Sequence, residues 1–152
     1  MDSSKVRILR ADRRHLKGIN NLIVKTRIGS PMKKLEGCFW IVKDGERTIG
    51  CMGAEFINTC TVILTHLAVD EMYRRQGIGM SLFNHALRFA ESKGSSTAAF
   101  ITMYYHFNRF KKRGFRTSPR RFLPEDVQSH WMFTAKRYMK CAAMIKSLPH
   151  TD

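Results

Sequence analysis

The sequence predicts an α/β (or α+β) fold, a mixed β-sheet flanked by helices on both faces. Three observations carry that expectation. Short apolar runs of strand length alternate with stretches whose apolar residues recur at helical spacing. Asp44-Gly45 between two such runs is a strong hairpin signal, so part of the sheet is antiparallel. Thr61 to Val69 is apolar on both faces, as a central strand is, and leads through a polar loop into an amphipathic helix.

The elements follow in order. Val6 to Arg10 alternates apolar and charged residues, the pattern of a half-buried strand. Asp12 is placed to cap a helix whose apolar positions are Leu16, Ile19, Ile23 and Val24. Ile28 to Gly37, with Gly29 and Pro31, breaks that pattern. Phe39–Val42 and Thr48–Met52 form the two arms of the hairpin, and Asn58-Thr59 turns the chain into the central strand. After the loop Asp70–Gly79, a helix presents Ile78, Leu82, Phe83, Ala86, Phe89 and Ala90, and Gly94 ends it. Ala98–Tyr105 reads as a strand, Phe107–Arg113 as a short basic helix closed by Gly114, and Phe115–Thr117 as a short strand. Pro124 opens a helix through Trp131, and Cys141–Ile145 is the last strand.

A chain of 152 residues with 43% hydrophobic content is expected to form a single domain, 1–152, with a substantial core. No run approaches the length of a membrane span, and the N-terminal residues lack the apolar block of a secretion signal. Cys38, Cys51, Cys60 and Cys141 show no spacing suited to zinc and read as free, buried thiols, so a cytoplasmic location and no metal are expected. The net charge of +15 predicts attraction to polyanions without choosing among them.

The chemistry is concentrated in Arg74-Arg75-Gln76-Gly77-Ile78-Gly79. Between a buried strand and a helix, such a segment is an anion site. Its glycines permit a sharp turn and close approach, and the first helical turn leaves N–H groups unpaired. The helix dipole contributes at most about 1 kcal/mol per exposed charge. Each hydrogen bond to a charged group adds about 1.5–3 kcal/mol, so several amides together outweigh the dipole. The segment lacks the GK[ST] of a P-loop, and Leu82 stands where a dinucleotide fingerprint has its third glycine.

Leu67-Ala68-Val69-Asp70 followed by Tyr73-Arg74-Arg75-Gln76-Gly77-Ile78-Gly79-Met80 resembles the acyl-CoA-binding core of the GNAT (general N-acetyltransferase) superfamily. Phe110 to Phe115 is similar to that family's later F/Y-x-x-x-G-F segment, and the chain's ending is loosely similar to small N-acetylglutamate-synthase-like members. The resemblance implies a GNAT fold, acetyl-CoA as cosubstrate and direct transfer to an amine in a ternary complex. It implies that the backbone of Leu67, Ala68 and Val69 pairs with the pantetheine arm. It also implies that Arg74 fills the first defined position of the cofactor motif and that the amides of Arg75, Gln76, Gly77, Ile78, Gly79 and Met80 cradle the pyrophosphate, with the cofactor entering where the central strand and the next one splay.

Direct transfer needs a base for the amine and an acid for the thiolate. His66, one residue before the cofactor-pairing strand end, has a suitable ordinary pKa; Glu55, ending the preceding strand, can act directly or through water. The family's frequent tyrosine acid aligns with Phe110, and its frequent asparagine aligns near Met103. Tyr104 and Tyr105 are the nearest substitutes, with His106 a third option; only one of the two tyrosines is expected to face the cofactor, because neighbouring strand residues point oppositely.

Two regions are strongly basic. Residues 1–34 hold ten Lys and Arg against Asp2 and Asp12, and Ser92–Pro124 holds eight with no acid. Phe107, Phe110, Phe115 and Phe122 interleave with the second set and are expected in the core. The partners expected are acetyl-CoA, an amine acceptor with a pocket drawn partly from Ile28–Cys38, and weak electrostatic contact with polyanions; a homodimer is left open. A non-catalytic CoA-fold binding module and a nucleic-acid-associated basic protein are the rival readings.

Overall fold

The computed structural model describes residues 6–149. The backbone divides into two compact units, the first running to Glu55 and including Leu64–Ala90, the second comprising Phe56–Ile63 and the residues from Glu91 onward.

In the first unit, β1 (Leu9–Arg10) lies antiparallel to β2 (Cys38–Asp44), which pairs antiparallel with β3 (Arg47–Phe56). β4 (Thr61–Val69) is next in order after β3. Gly45 takes φ +58 in the hairpin turn, the conformation that Asp-Gly supplies. Alternation along β2 sends Phe39 and Ile41 to one face and Trp40 to the other. Helix α1 (Leu16–Thr26) covers the first face, packing Ile19, Leu22 and Ile23 with Phe39, Ile41, Cys51 and Ala68. Helix α2 (Ile78–Ser92) covers the second, where Phe89 meets Trp40 edge-on at 5.2 Å. Gly50 makes room for α2, since a Cβ there would lie 3.1 Å from both Ile78 and Leu82. Both faces of this unit thus carry a helix, as expected.

In the second unit the strand order is β4, β5 (Thr97–Thr102), β7 (Ala142–Ser147), β6 (Arg116–Ser118). Thr61–Ile63 of β4 run parallel to Thr97–Ala99, while β7 is antiparallel to both of its neighbours. This is the mixed pairing the sequence predicts. The core gathers Ile63, Ala99, Leu123, Val127, Met132, Phe133, Ala143 and Ile145.

Several boundaries differ from expectation. Only Leu9 and Arg10 of the first run find a partner, on Ile41 and Trp40. β5 stops at Thr102, opposite Ala142, where β7 begins; Met103, Tyr104 and Tyr105 have no strand to pair with and enter a 3-10 turn, Tyr104–His106. Helix α3 spans only Phe107–Lys111. The helix expected over 125–131 is two single turns, α4 (Glu125–Gln128) and α5 (Trp131–Thr134), the second opened by His130, whose Nδ1 accepts from Met132 N–H at 3.2 Å.

Candidate functional site

The first unit brings most of the expected site residues together. The key local feature is His66, which takes φ +50 in the middle of β4. A single left-handed residue inside a strand is a bulge: it adds one residue and resets the alternation. Thr65 and Ala68, three apart, consequently both face the α1 side. Ala68 packs there with Ile41 and Cys51. Thr65 lies against Gly53, where a Cβ would fall 2.4 Å from Thr65 Oγ1 and 2.7 Å from the Phe39 ring. Thr65 Oγ1 is buried with no hydrogen-bond partner among the described residues. Neither the bulge nor Thr65 and Gly53 emerges from sequence reasoning; a histidine's tolerance of positive φ is the one faint signal.

His66 and Glu55 form an electrostatic pair on this face. The His66 ring lies 5.6 Å from Phe39. Burial pushes its pKa below the ordinary 6.5, and the Glu55 carboxylate works against that fall. The imidazole is therefore neutral and able to accept a proton at pH 7, with a carboxylate nearby to stabilise the imidazolium. Cys51 Sγ contacts His66 O at 3.2 Å, but burial pushes its thiol up to about 12. It is a packing residue rather than a nucleophile.

The loop after β4 hangs on Asp70. This carboxylate is 2% exposed. Its Oδ2 accepts from Lys25 Nζ at 2.7 Å and Arg47 Nη2 at 3.4 Å, and its Oδ1 accepts from Met72 N–H at 3.0 Å. The Lys25 hydrogen bond holds its pKa below the ordinary 3.8, against the cost of burial. Asp70 N–H donates to Ile49 O at 2.8 Å, fixing where the strand ends. Arg74 Nε donates to Val69 O at 3.1 Å, so this arginine braces the strand end. Arg75 and Gly77 then both take positive φ, +66 and +81, on either side of Gln76. Turns of this kind gather backbone N–H groups into an anion-binding concavity. Glycine is required at 77 for that conformation, whereas a Cβ at Gly79 would make only ordinary contact, 3.5 Å from Val69. The buried Gln76 Oε1 has no partner among the described residues; with the amide turned over, an NH2 donor occupies that position. Ile78, Gly79 and Met80 open the 15-residue α2, whose first N–H groups have no helical acceptors.

Leu67, Ala68 and Val69 occupy the end of β4, and Thr61–Ile63 at its start pair in parallel with Thr97–Ala99. Tyr104 and Tyr105 belong to the second unit, exposed in a 3-10 turn. Phe110 is buried and stacks edge-on against Phe100 at 4.6 Å, a packing role. Phe115 is likewise buried, Phe107 is half-buried, and Phe122 is 69% exposed, against the expectation of a core position. Of the four cysteines only Cys51 is buried; Cys38 and Cys141 are half-buried and Cys60 is exposed. Arg120, one of the eight basic residues of Ser92–Pro124, binds three carbonyls: Phe133 O at 3.0 Å, Cys141 O at 3.0 Å and Tyr138 O at 2.7 Å. Among the described residues no helix is long and apolar enough to cross a membrane, and no cluster of three metal-ligating side chains occurs.

A family model described as acetyltransferase (GNAT) domain matches residues 36–117, from the start of the hairpin to β6. Human N-acetyltransferase 8 is 33% identical over 90 residues, which are 51% of this chain and 40% of that protein. The Xenopus tropicalis probable N-acetyltransferase camello is 25% identical over 114 residues, 72% of this chain and 52% of that protein. The chain thus matches about half or less of the length of these curated relatives. Among solved structures, N-acetylglutamate synthase from Neisseria gonorrhoeae, complexed with coenzyme A and N-acetyl-glutamate, is similar with a TM-score of 0.79 at 20% identity, over 95% of this chain and 35% of that one. The ribosomal-protein-S18-alanine N-acetyltransferase from Escherichia coli matches with a TM-score of 0.74 at 13% identity, over 96% of both chains. At such identities the structural likeness speaks for the fold. With the family match spanning more than half of the sequence and the turned loop at its centre, the chain belongs to the GNAT acetyltransferase family.

Proposed function

We propose that the chain, acting as one domain, is an acetyl-CoA-dependent N-acetyltransferase that transfers the acetyl group directly to a primary amine. The observation that carries this reading is the pair of left-handed residues, Arg75 and Gly77, directly ahead of α2. Backbone N–H groups from Arg75 to Met80 hold the pyrophosphate, and the β4 backbone from Leu67 to Val69 aligns the pantetheine arm. Acetyl-CoA supplies an activated acyl carbon and a sulfur leaving group. The amine nitrogen bonds to that carbon, the C–S bond breaks, and its electron pair leaves with sulfur. His66 takes the proton the amine gives up, and Glu55 stabilises the resulting imidazolium. The departing thiolate then takes a proton from water.

The acceptor is an amine of unassigned identity, and the reading locates the protein in the cytoplasm, as a monomer or a homodimer, with weak electrostatic attraction to polyanions. The buried Phe110, which has no hydroxyl to offer, favours a second reading as a CoA-binding module without catalysis.

Thermal unfolding with acetyl-CoA tests the site. At 100 times its dissociation constant the cofactor should add about 2.7 kcal/mol of stability. Gly77→Val forces a β-branched residue into a left-handed conformation and should weaken affinity at least about tenfold, about 1.4 kcal/mol. Unchanged affinity would refute the loop's role. With an amine acceptor found by screening, kcat/KM of the wild type should fall on a limb below pH 6.5, and His66→Gln should lose that limb. Cofactor binding with no transfer to any amine would favour the binding module.

A further inference from the structure

We propose that the second unit carries a binding face for single-stranded nucleic acid, at the end of the β5–β7 pair marked by Thr102 and Ala142. The exposed large apolar side chains of this unit, among the described residues, are Met103, Tyr104, Tyr105, Phe122, Trp131 and Met139. Four are aromatic, two are methionine, and none is a branched aliphatic. At this end of the strands Met103 and Trp131 are linked through Cys141 and Tyr138. Cys141 Sγ lies 3.3 Å from Met103 Sδ, Cys141 N–H donates to Tyr138 O at 2.9 Å, and the Tyr138 ring is 6.3 Å from that of Trp131.

Cations stand on or beside these rings. The Arg121 guanidinium is 4.8 Å from the centroid of the exposed Phe122, and Arg137 is 5.4 Å from that of the half-buried Tyr138. Residues 91–152 hold twelve Lys and Arg against four Asp and Glu. Flat rings in solvent, interleaved with fixed positive charge, match a ligand that alternates planar bases with phosphates. Acyl chains would select Leu, Ile or Val, which this face lacks, and an acidic peptide would satisfy the cations while leaving the rings in water. Because every base has a π-face and the cations meet phosphates, binding has little sequence preference and falls with salt.

The test uses the full chain and a fluorescein-labelled oligouridine of about 20 nucleotides, long enough to cover one site. Trp40 is buried and Trp131 exposed, so quenching of intrinsic fluorescence reports Trp131 stacking. Saturable binding with quenching is expected. Trp131→Ala and Phe122→Ala should each weaken binding about fivefold or more, the effect of about 1 kcal/mol per stacked base. Trp131→Phe should retain most of the affinity, and Lys33→Ser with Lys34→Ser in the first unit should change it little. Circular dichroism melts establish that each variant is folded; if Trp131→Ala is not, Phe122→Ala and the wild-type quench decide. Equal binding of an abasic oligonucleotide of the same length would overturn the proposal, as would tighter binding to phosphatidylserine vesicles or polyglutamate. Displacement of the oligonucleotide by saturating coenzyme A would overturn it too, assigning the face to the cofactor's nucleotide end.

Discussion

Two excursions from the strands are each organised by one charged side chain, of opposite sign. The loop after β4 is held by Asp70, a buried carboxylate that accepts from Lys25, Arg47 and Met72 N–H. The longer excursion between β6 and β7 is held by Arg120, which donates to the carbonyls of Phe133, Tyr138 and Cys141. The difference matters for what each surface offers a ligand. In the first loop the organising negative charge is turned inward and neutralised by cations, leaving backbone N–H groups and Arg75 for an incoming anion. In the second, the organising cation is spent on carbonyls, and the outward face is built from rings and the remaining Lys and Arg.

The largest break in this comparison should come from Arg120→Ala. Losing three charge-assisted bonds to part-buried carbonyls should cost about 3 kcal/mol, lowering Tm by about 6–12 °C. A drop as small as an ordinary surface substitution would mean the excursion is held by its apolar core alone. Asp70→Asn should cost less, about 2 kcal/mol, because Lys25 and Arg47 are half in water and Asn can still accept from Met72 N–H. Urea titration measures this directly. The same variant should weaken acetyl-CoA binding severalfold while Arg120→Ala leaves it nearly unchanged, if the two excursions serve different ligands.

Acid sharpens the contrast further, with the smallest effect. His66 has a lowered folded pKa, so its contribution to stability is complete above pH 6.5 and is lost as pH falls through the lower folded value. Asp70 is also lowered, so its contribution is present above 3.8 and lost below. Both losses arise in the first unit. Asp70→Asn should shrink the loss of stability below pH 3.8 and spare the loss below pH 6.5, to which the lowered His85 also contributes, and His66→Gln should do the reverse.

Much of this was legible in the sequence because it rests on local chemistry. Asp44-Gly45 dictates its own turn, Thr61–Val69 has no polar face, and the spacing from Ile78 to Ala90 admits one helix. The turned loop was legible for the same reason, since Gly77 carries its backbone preference with it. What escaped depends on distant neighbours. Met103-Tyr104-Tyr105 has strand-forming residues, and only the start of β7 at Ala142 denies it a partner. Arg120 looks like any of eight basic residues until three carbonyls, 13 to 21 positions away, converge on it. The pairing of Glu55 with His66 was legible only as two separate candidates on neighbouring strands. The bulge that presents His66 has no local cause strong enough to read.

That bulge carries a consequence for mutational tolerance. A strand interior ordinarily accepts Val, Ile and Thr and rejects Gly and Asn. At φ +50 the order inverts, because β-branched side chains are the ones that clash. In a library saturated at position 66 and sorted for folded protein alone, Gly and Asn should persist and Val and Ile should vanish. Sorted for acetyl transfer, the same library should narrow toward His. The distance between the two surviving sets would separate what this residue does for the backbone from what it does for the proton.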